Sequence, residues 1–140
     1  MYQKDFILRM IEMIGELIAL ILGFIKKGDL QQASQAIENA YRDFLKEDAS
    51  LFRNINKEKL TDELLQKHNY TNGHLRILSE LFFAEAELQL AKGNTENSIA
   101  YYEKSLILLE FVERESKNFS LELQSKISMI EGKIAKLNDE

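Results

Sequence analysis

Two histidines are the side chains best suited to acid–base or metal chemistry. His68 and His74 stand six positions apart, with Tyr70 and Gly73 between them. A neutral imidazole titrates near physiological pH and is a common ligand for zinc, copper and iron. Ligand pairs on one helix face sit three or four residues apart, however, and the stretch fixes no third ligand. The pair therefore reads first as turn and helix-start residues, with a small-ligand or catalytic site near His68, Tyr70 and His74 as an alternative. Glu80, Glu85 and Glu87 make a second candidate cluster. Their spacing aims them in different directions around a helix and the Glu-x-x-His pattern of di-iron bundles is missing, so a solvated face is expected. No serine occupies a Gly-x-Ser-x-Gly elbow, no glycine-rich phosphate loop occurs, and there is no cysteine. Tyr41, Tyr101 and Tyr102 are expected as core and rim residues of helix pairs, with hydroxyls reaching water. These residues predict no enzyme, no metal and no cofactor.

The scaffold is bounded by composition. One hundred and forty residues, 45% of them apolar, suffice for a single domain with a real core. Zero proline and abundant Leu, Ile, Glu, Lys and Ala favour helix almost throughout. A net charge of −5, with no basic cluster longer than Lys26-Lys27, argues against nucleic acid as a partner. The lack of cysteine removes disulfides and thiolate metal sites, and with no signal-peptide pattern the expected compartment is the cytoplasm.

The stretch from Asp5 to Lys26 organises the rest. On a helix, Asp5, Arg9, Glu12, Glu16, Ala19, Gly23 and Lys27 share one narrow stripe while apolar residues wrap the remainder. So apolar a helix is expected to be sequestered by other elements or by a second subunit. Gly15, Ala19 and Gly23, four residues apart, offer a line along which a neighbouring helix can approach. The uninterrupted apolar run from Leu17 to Ile25 is nine residues, against the roughly 20 that a membrane crossing requires. A membrane partner is therefore disfavoured, with peripheral docking through this run as the alternative.

The first helix stops at Gly28, and Asp29 begins a second with Gln32 completing a capping-box-like pair. That helix runs to about Lys46, with Leu30, Ala33, Ile37, Ala40, Tyr41 and Phe44 at helical spacing. Glu47 to Asn56 reads as loop, with Leu51, Phe52 and Ile55 tucked against the core. A short helix follows over about 57–67, then the turn-rich break from His68 to Gly73. The fourth and fifth helices cover about His74 to Lys92 and Thr95 to Ser116, and Ser120 caps a last helix over about 120–138. There Glu122, Lys126, Glu131, Lys133 and Lys136 are expected on the outer face. The expected fold is one all-α domain of residues 1–140, a bundle or short solenoid of five or six antiparallel helices with hairpins at about 5–46 and 74–116.

Gly28 and Gly93 are 65 positions apart, and in that register Lys27-Gly28-Asp29 matches Lys92-Gly93-Asn94, Ala33 matches Ser98, Ile37 matches Tyr102 and Ala40 matches Ser105. The stretches KGDLQQASQAIENAY and KGNTENSIAYYEKSL resemble the second half of a tetratricopeptide repeat. The opening MYQKDFILRMIE is similar to the start of a group of small bacterial cytosolic proteins with tetratricopeptide-like folds. The resemblance implies a concave surface faced by Ile18, Leu22 and Ile25 from one hairpin and Phe83, Glu87 and Leu90 from the other. It also implies a non-enzymatic protein–protein interaction or self-assembly module, whose partner is a protein, a peptide or a second copy in a homodimer.

Overall fold

Two glycine turns set the path of the chain. The computed structural model describes residues 2–116 and 120–139, and the side chains from residue 6 onward. At Gly28 and Gly93 the backbone enters the left-handed region, with φ of 83° and 85°. The Gly28 N–H donates to the Ile25 carbonyl at 3.0 Å and the Asp29 N–H to that of Phe24 at 2.9 Å. The Gly93 and Asn94 N–H groups make the same two bonds to Leu90 and Gln89, again at 3.0 and 2.9 Å. This two-bond helix stop requires a left-handed residue, which glycine adopts without a Cβ penalty. Each turn joins a long helix to its return: α1 (Tyr2–Lys26) to α2 (Leu30–Ala40), and later α5 (Asn72–Ala91) to α6 (Thr95–Glu115).

The matched residues after each turn are buried in both copies. Ala33 and Ser98, Ile37 and Tyr102, and Ala40 and Ser105 are all fully enclosed. The small residues let each return helix lie close, and the large one fills the space between. Asp29 accepts from the Gln32 N–H at 3.2 Å, while the Gln32 amide donates to the Asp29 carboxylate at 2.9 Å. The reciprocal bond thus joins two side chains instead of returning to the backbone.

Between the hairpins the chain is more helical than the periodicity predicts. A single π-helical turn, Tyr41–Leu45, extends α2 and ends at Lys46 with φ of 60°. The expected loop over Glu47 to Asn56 contains α3 (Ala49–Arg53), capped by Asp48, whose carboxylate accepts from the Ser50 N–H at 3.1 Å. Five residues are too few for a helical period to stand out, which hid this element. Phe52 and Ile55 are buried as expected, but Leu51 on the opposite side is exposed. A 3₁₀ turn (Lys57–Lys59) then leads into α4 (Leu60–Gln66). With α7 (Leu121–Asn138), seven α-helices and no strand are present among the described residues, not five or six helices.

Helix α5 lies at the centre, packed against α1, α2 and α6. Its contact with α6 is fastened by buried hydroxyls: Ser79 donates to the Ser105 carbonyl at 3.0 Å, and Ser105 to the Ser79 carbonyl at 2.9 Å. Ser98 donates to the Ala86 carbonyl at 2.8 Å. Helix α7, capped by Ser120 through the Leu123 N–H, lays Leu123, Ile127, Ile130 and Leu137 on the core. Its charged residues do not all face outward. Glu122 pairs with Arg76 at 2.6 Å, Lys126 with Glu80, and Lys133 with Glu87 at 3.3 Å. Every one of these pairs is separated by 46 residues, so α5 and α7 run parallel in constant register. Glu122, although paired, remains exposed as expected, as do Glu131 and Lys136.

Among the described residues no helix uses the Gly15, Ala19, Gly23 line: Gly15 and Ala19 are exposed, and nothing lies within 4 Å of a Cβ built on Gly15 or Gly23. Close approach falls instead at Gly73, where a Cβ would collide with Ile7 of α1.

Candidate functional site

The histidines belong to an aromatic cluster at the start of α5. Tyr70 stacks on His74 with centroids 4.7 Å apart and planes 12° apart, and lies 5.6 Å from His68 and 6.1 Å from Phe52. The loop that carries them is held by the Tyr70 hydroxyl, which donates to the Leu45 carbonyl at 3.4 Å. Burial pushes that phenol up to about 12, with the charge of Glu47 adding to the shift. His74 sits at the third position of the helix, where its Nδ1 accepts from the Thr71 N–H at 3.1 Å with the Thr71 hydroxyl 3.0 Å away. Imidazole here replaces the Glu or Gln of an ordinary capping box. An accepting Nδ1 puts the proton of the neutral ring on Nε2. Burial also holds the His74 pKa below the usual histidine range, which keeps the accepting form. Beside it opens a cavity of about 710 Å³, lined by Phe6, Ile7, Leu8, Thr71, Asn72, Gly73 and His74. Among the described residues no group of three His, Asp or Glu side chains could hold a metal ion.

The three glutamates of α5 depart furthest from expectation. Glu85 is almost fully buried and accepts from Tyr41 Oη at 3.0 Å, Arg53 Nε at 2.7 Å and Arg53 Nη2 at 3.2 Å. The same guanidinium donates to Glu38 at 2.6 Å. Burial works against the Arg53 charge, but the hydrogen bonds and charges of Glu85 and then Glu38 outweigh it and raise the pKa. Burial, reinforced by Glu85, pushes the Tyr41 phenol well above its ordinary value. Both carboxylate oxygens of Glu85 are engaged and both donors are committed, so the cluster fastens α3 to α2 and α5. Glu80 is also buried, against Lys126, and Glu87 accepts from the Tyr102 hydroxyl and pairs with Lys133. The expected solvated face is therefore a set of paired carboxylates, and the hydroxyls of Tyr41 and Tyr102 donate to Glu85 and Glu87 instead of water. Arg53 lies 32 residues from Glu85 in a stretch read as loop, and no spacing rule links them.

The residues expected on a concave surface divide. Ile18 is 5% exposed and belongs to the core, so it presents nothing to a partner. Leu22, Ile25 and Phe83 are half-buried and pack against that core, the Phe83 ring lying 5.9 Å from Tyr102. Glu87 is spent on Tyr102 and Lys133, whereas Leu90 is exposed beside Tyr102, Lys133, Lys136 and Leu137.

A free apolar surface lies on another side of α1. Phe6, Met13 and Leu20 are 58%, 52% and 54% exposed, and Met10, Leu17 and Phe24 between them are half-buried. These six residues follow steps of four, three, four, three and four. On a helix they form one strip about 27 Å long. Arg9, Glu12 and Glu16 stand exposed along its border. Only the inner face of α1, through Ile14, Ile18 and Ile21, is sequestered as the sequence predicts. Periodicity marks both faces as apolar and leaves undecided which has a neighbour.

Compared with family models, curated proteins and solved structures, the chain finds no match in any of the three. Among the described residues no helix is long and apolar enough to cross a membrane.

Proposed function

We propose that this chain is a non-enzymatic protein–protein interaction module, built on two tetratricopeptide-like hairpins with α7 lying across the second. The observation that carries the reading is the exposed apolar strip Phe6–Met13–Leu20 on α1. Contiguous apolar surface bordered by charge is how docking faces differ from ordinary protein surface, where apolar residues are scattered singly. The tetratricopeptide-like part is supported by the duplicated glycine stop, with the same bonds and the same buried matched residues in each copy. The groups best suited to catalysis serve other roles: His74 caps α5, and the glutamates of α5 are paired.

The test places a photo-reactive benzoylphenylalanine at Leu20 and, as control, at Gln35 on the exposed polar side of α2. Irradiation in cells is expected to give a discrete adduct from position 20, lost when Met13→Glu is added, and none from position 35. Equal labelling from both positions, or none from either, overturns the reading.

A further inference from the structure

The second hairpin shows what covers this face when it is covered. In the 65-residue register, Met10, Met13, Leu17 and Leu20 of α1 correspond to Leu75, Leu78, Phe82 and Glu85 of α5. Those four are buried, the first three completely. Helical chain packs on α5 from α2, its π turn and α6: Tyr41 of the π turn and Arg53 of α3 reach Glu85, and the Phe82 ring lies 5.9 Å from that of Tyr101 on α6. The equivalent strip on α1 has no such cover among the described residues, and its four-three spacing is the one by which a helix receives knobs from a partner helix.

We infer that a second copy of this chain covers the strip, α1 against α1, antiparallel about a two-fold axis near Met13. This rests on the interaction-module reading and names its partner. The charges decide the choice. Arg9 and Glu16 are exposed on the same border of the strip, seven residues apart and opposite in sign. An antiparallel two-fold pair sets Arg9 of each copy against Glu16 of the other, and Phe6 against Leu20, with Met13 meeting Met13. A parallel pair instead turns that charged border toward the flank holding Ile14 and Ile21, which are already buried in each chain's own core. A lipid surface fits less well, because Glu12 and Glu16 border the strip and the chain carries a net charge of −5. One helix pair of this length sits near the lower limit of stable interfaces, about 1,200 Å² in total, so monomer and dimer should exchange at micromolar concentrations.

Sedimentation of the wild-type chain from about 1 to about 300 µM is expected to move from monomer to dimer mass. Met13→Glu should stay monomeric with an unchanged helical circular dichroism spectrum. Arg9→Glu should weaken pairing by about tenfold, and Arg9→Glu with Glu16→Arg should restore it. Because the chain has no cysteine, orientation can be read directly. Met13→Cys should oxidise to a linked dimer, and Phe6→Cys should couple to Leu20→Cys in a mixture but not to itself. Self-coupling of Phe6→Cys overturns the antiparallel arrangement. Recovery of the wild-type chain on anionic phospholipid vesicles in place of dimer overturns the choice of partner. A chain monomeric throughout that still gives a position-20 adduct with another protein removes self-pairing and leaves the module reading intact. A monomer with no adduct removes both.

Discussion

The two hairpins share a turn, a register and a set of enclosed residues, yet their leading helices have opposite fates. Helix α5 is enclosed on nearly every side, while α1 buries Ile14, Ile18 and Ile21 and leaves Phe6, Met13 and Leu20 in water. The enclosed helix carries the polar groups and the open one carries the apolar surplus. Where α5 and α6 have Ser79, Ser98 and Ser105, the first hairpin has Ile14, Ala33 and Ala40. Buried hydroxyls and carboxylates tolerate only the geometry that satisfies them, so they fix one arrangement of the central helices. An apolar face accepts any helix of suitable spacing, which suits the hairpin that still has a surface to offer.

The sharpest way to break this contrast is to strip the enclosed helix of its charge. Glu85→Ala leaves the Tyr41 hydroxyl facing a buried gap and Arg53 with Glu38 alone, and should cost about 3–5 kcal/mol in urea denaturation. A loss below about 1 kcal/mol would show that water reaches the cluster and that α5 is less enclosed than its geometry indicates. Matched positions give the next test. Leu78→Ala should cost about 2–5 kcal/mol, whereas Met13→Ala, its counterpart on α1, should stay within about 0.5 kcal/mol in dilute solution. Equal losses would erase the distinction between the helices. Exchanging polarity is subtler. Ser105→Ala removes the bond to the Ser79 carbonyl and the contact between the two hydroxyls, while the residue-105 carbonyl still accepts from Ser79, and should cost about 1–2 kcal/mol. Ala40→Ser should also destabilise, because it adds a hydroxyl at a fully enclosed position and Ile14, the counterpart of Ser79, has no hydroxyl to meet it.

The smallest effect concerns acid. Burial lowers the His74 pKa in the folded chain, so below the usual histidine range the unfolded chain binds the extra proton more readily. Stability from this residue is complete above that range and declines as pH falls through it toward the folded value. Thermal midpoints measured between neutral and mildly acidic pH should therefore drop less in His74→Gln, which keeps an acceptor for the Thr71 N–H, than in the wild type. A larger drop in the variant would reverse the assigned sign.

Local signals were legible in the sequence because they are local in physics. Gly28, Gly93, Asp29 and Ser120 each end or begin a helix through bonds to residues within five positions. Helix α3 was not, since five residues give no period. The partnership of Arg53 with Glu85 was also hidden, because a loop residue and a helix carboxylate 32 positions apart meet only after folding. The apolar wrap of α1 is legible as composition, while its own chain buries only one side of it. Spacing tells which side chains share a face, and packing alone tells which face is met.

The ladder between α5 and α7 also works as a vernier. Along α5 its signs run positive, negative, negative at Arg76, Glu80 and Glu87, with the complement on α7. Sliding α7 by one turn, about 5–6 Å, brings Glu122 opposite Glu80 in one direction and Lys126 opposite Arg76 in the other. Either slip sets like charges face to face, so the apolar seat on α6 supplies adhesion while the ladder rejects misaligned docking. Added salt should thus blur where the last helix settles before it loosens the helix from the bundle.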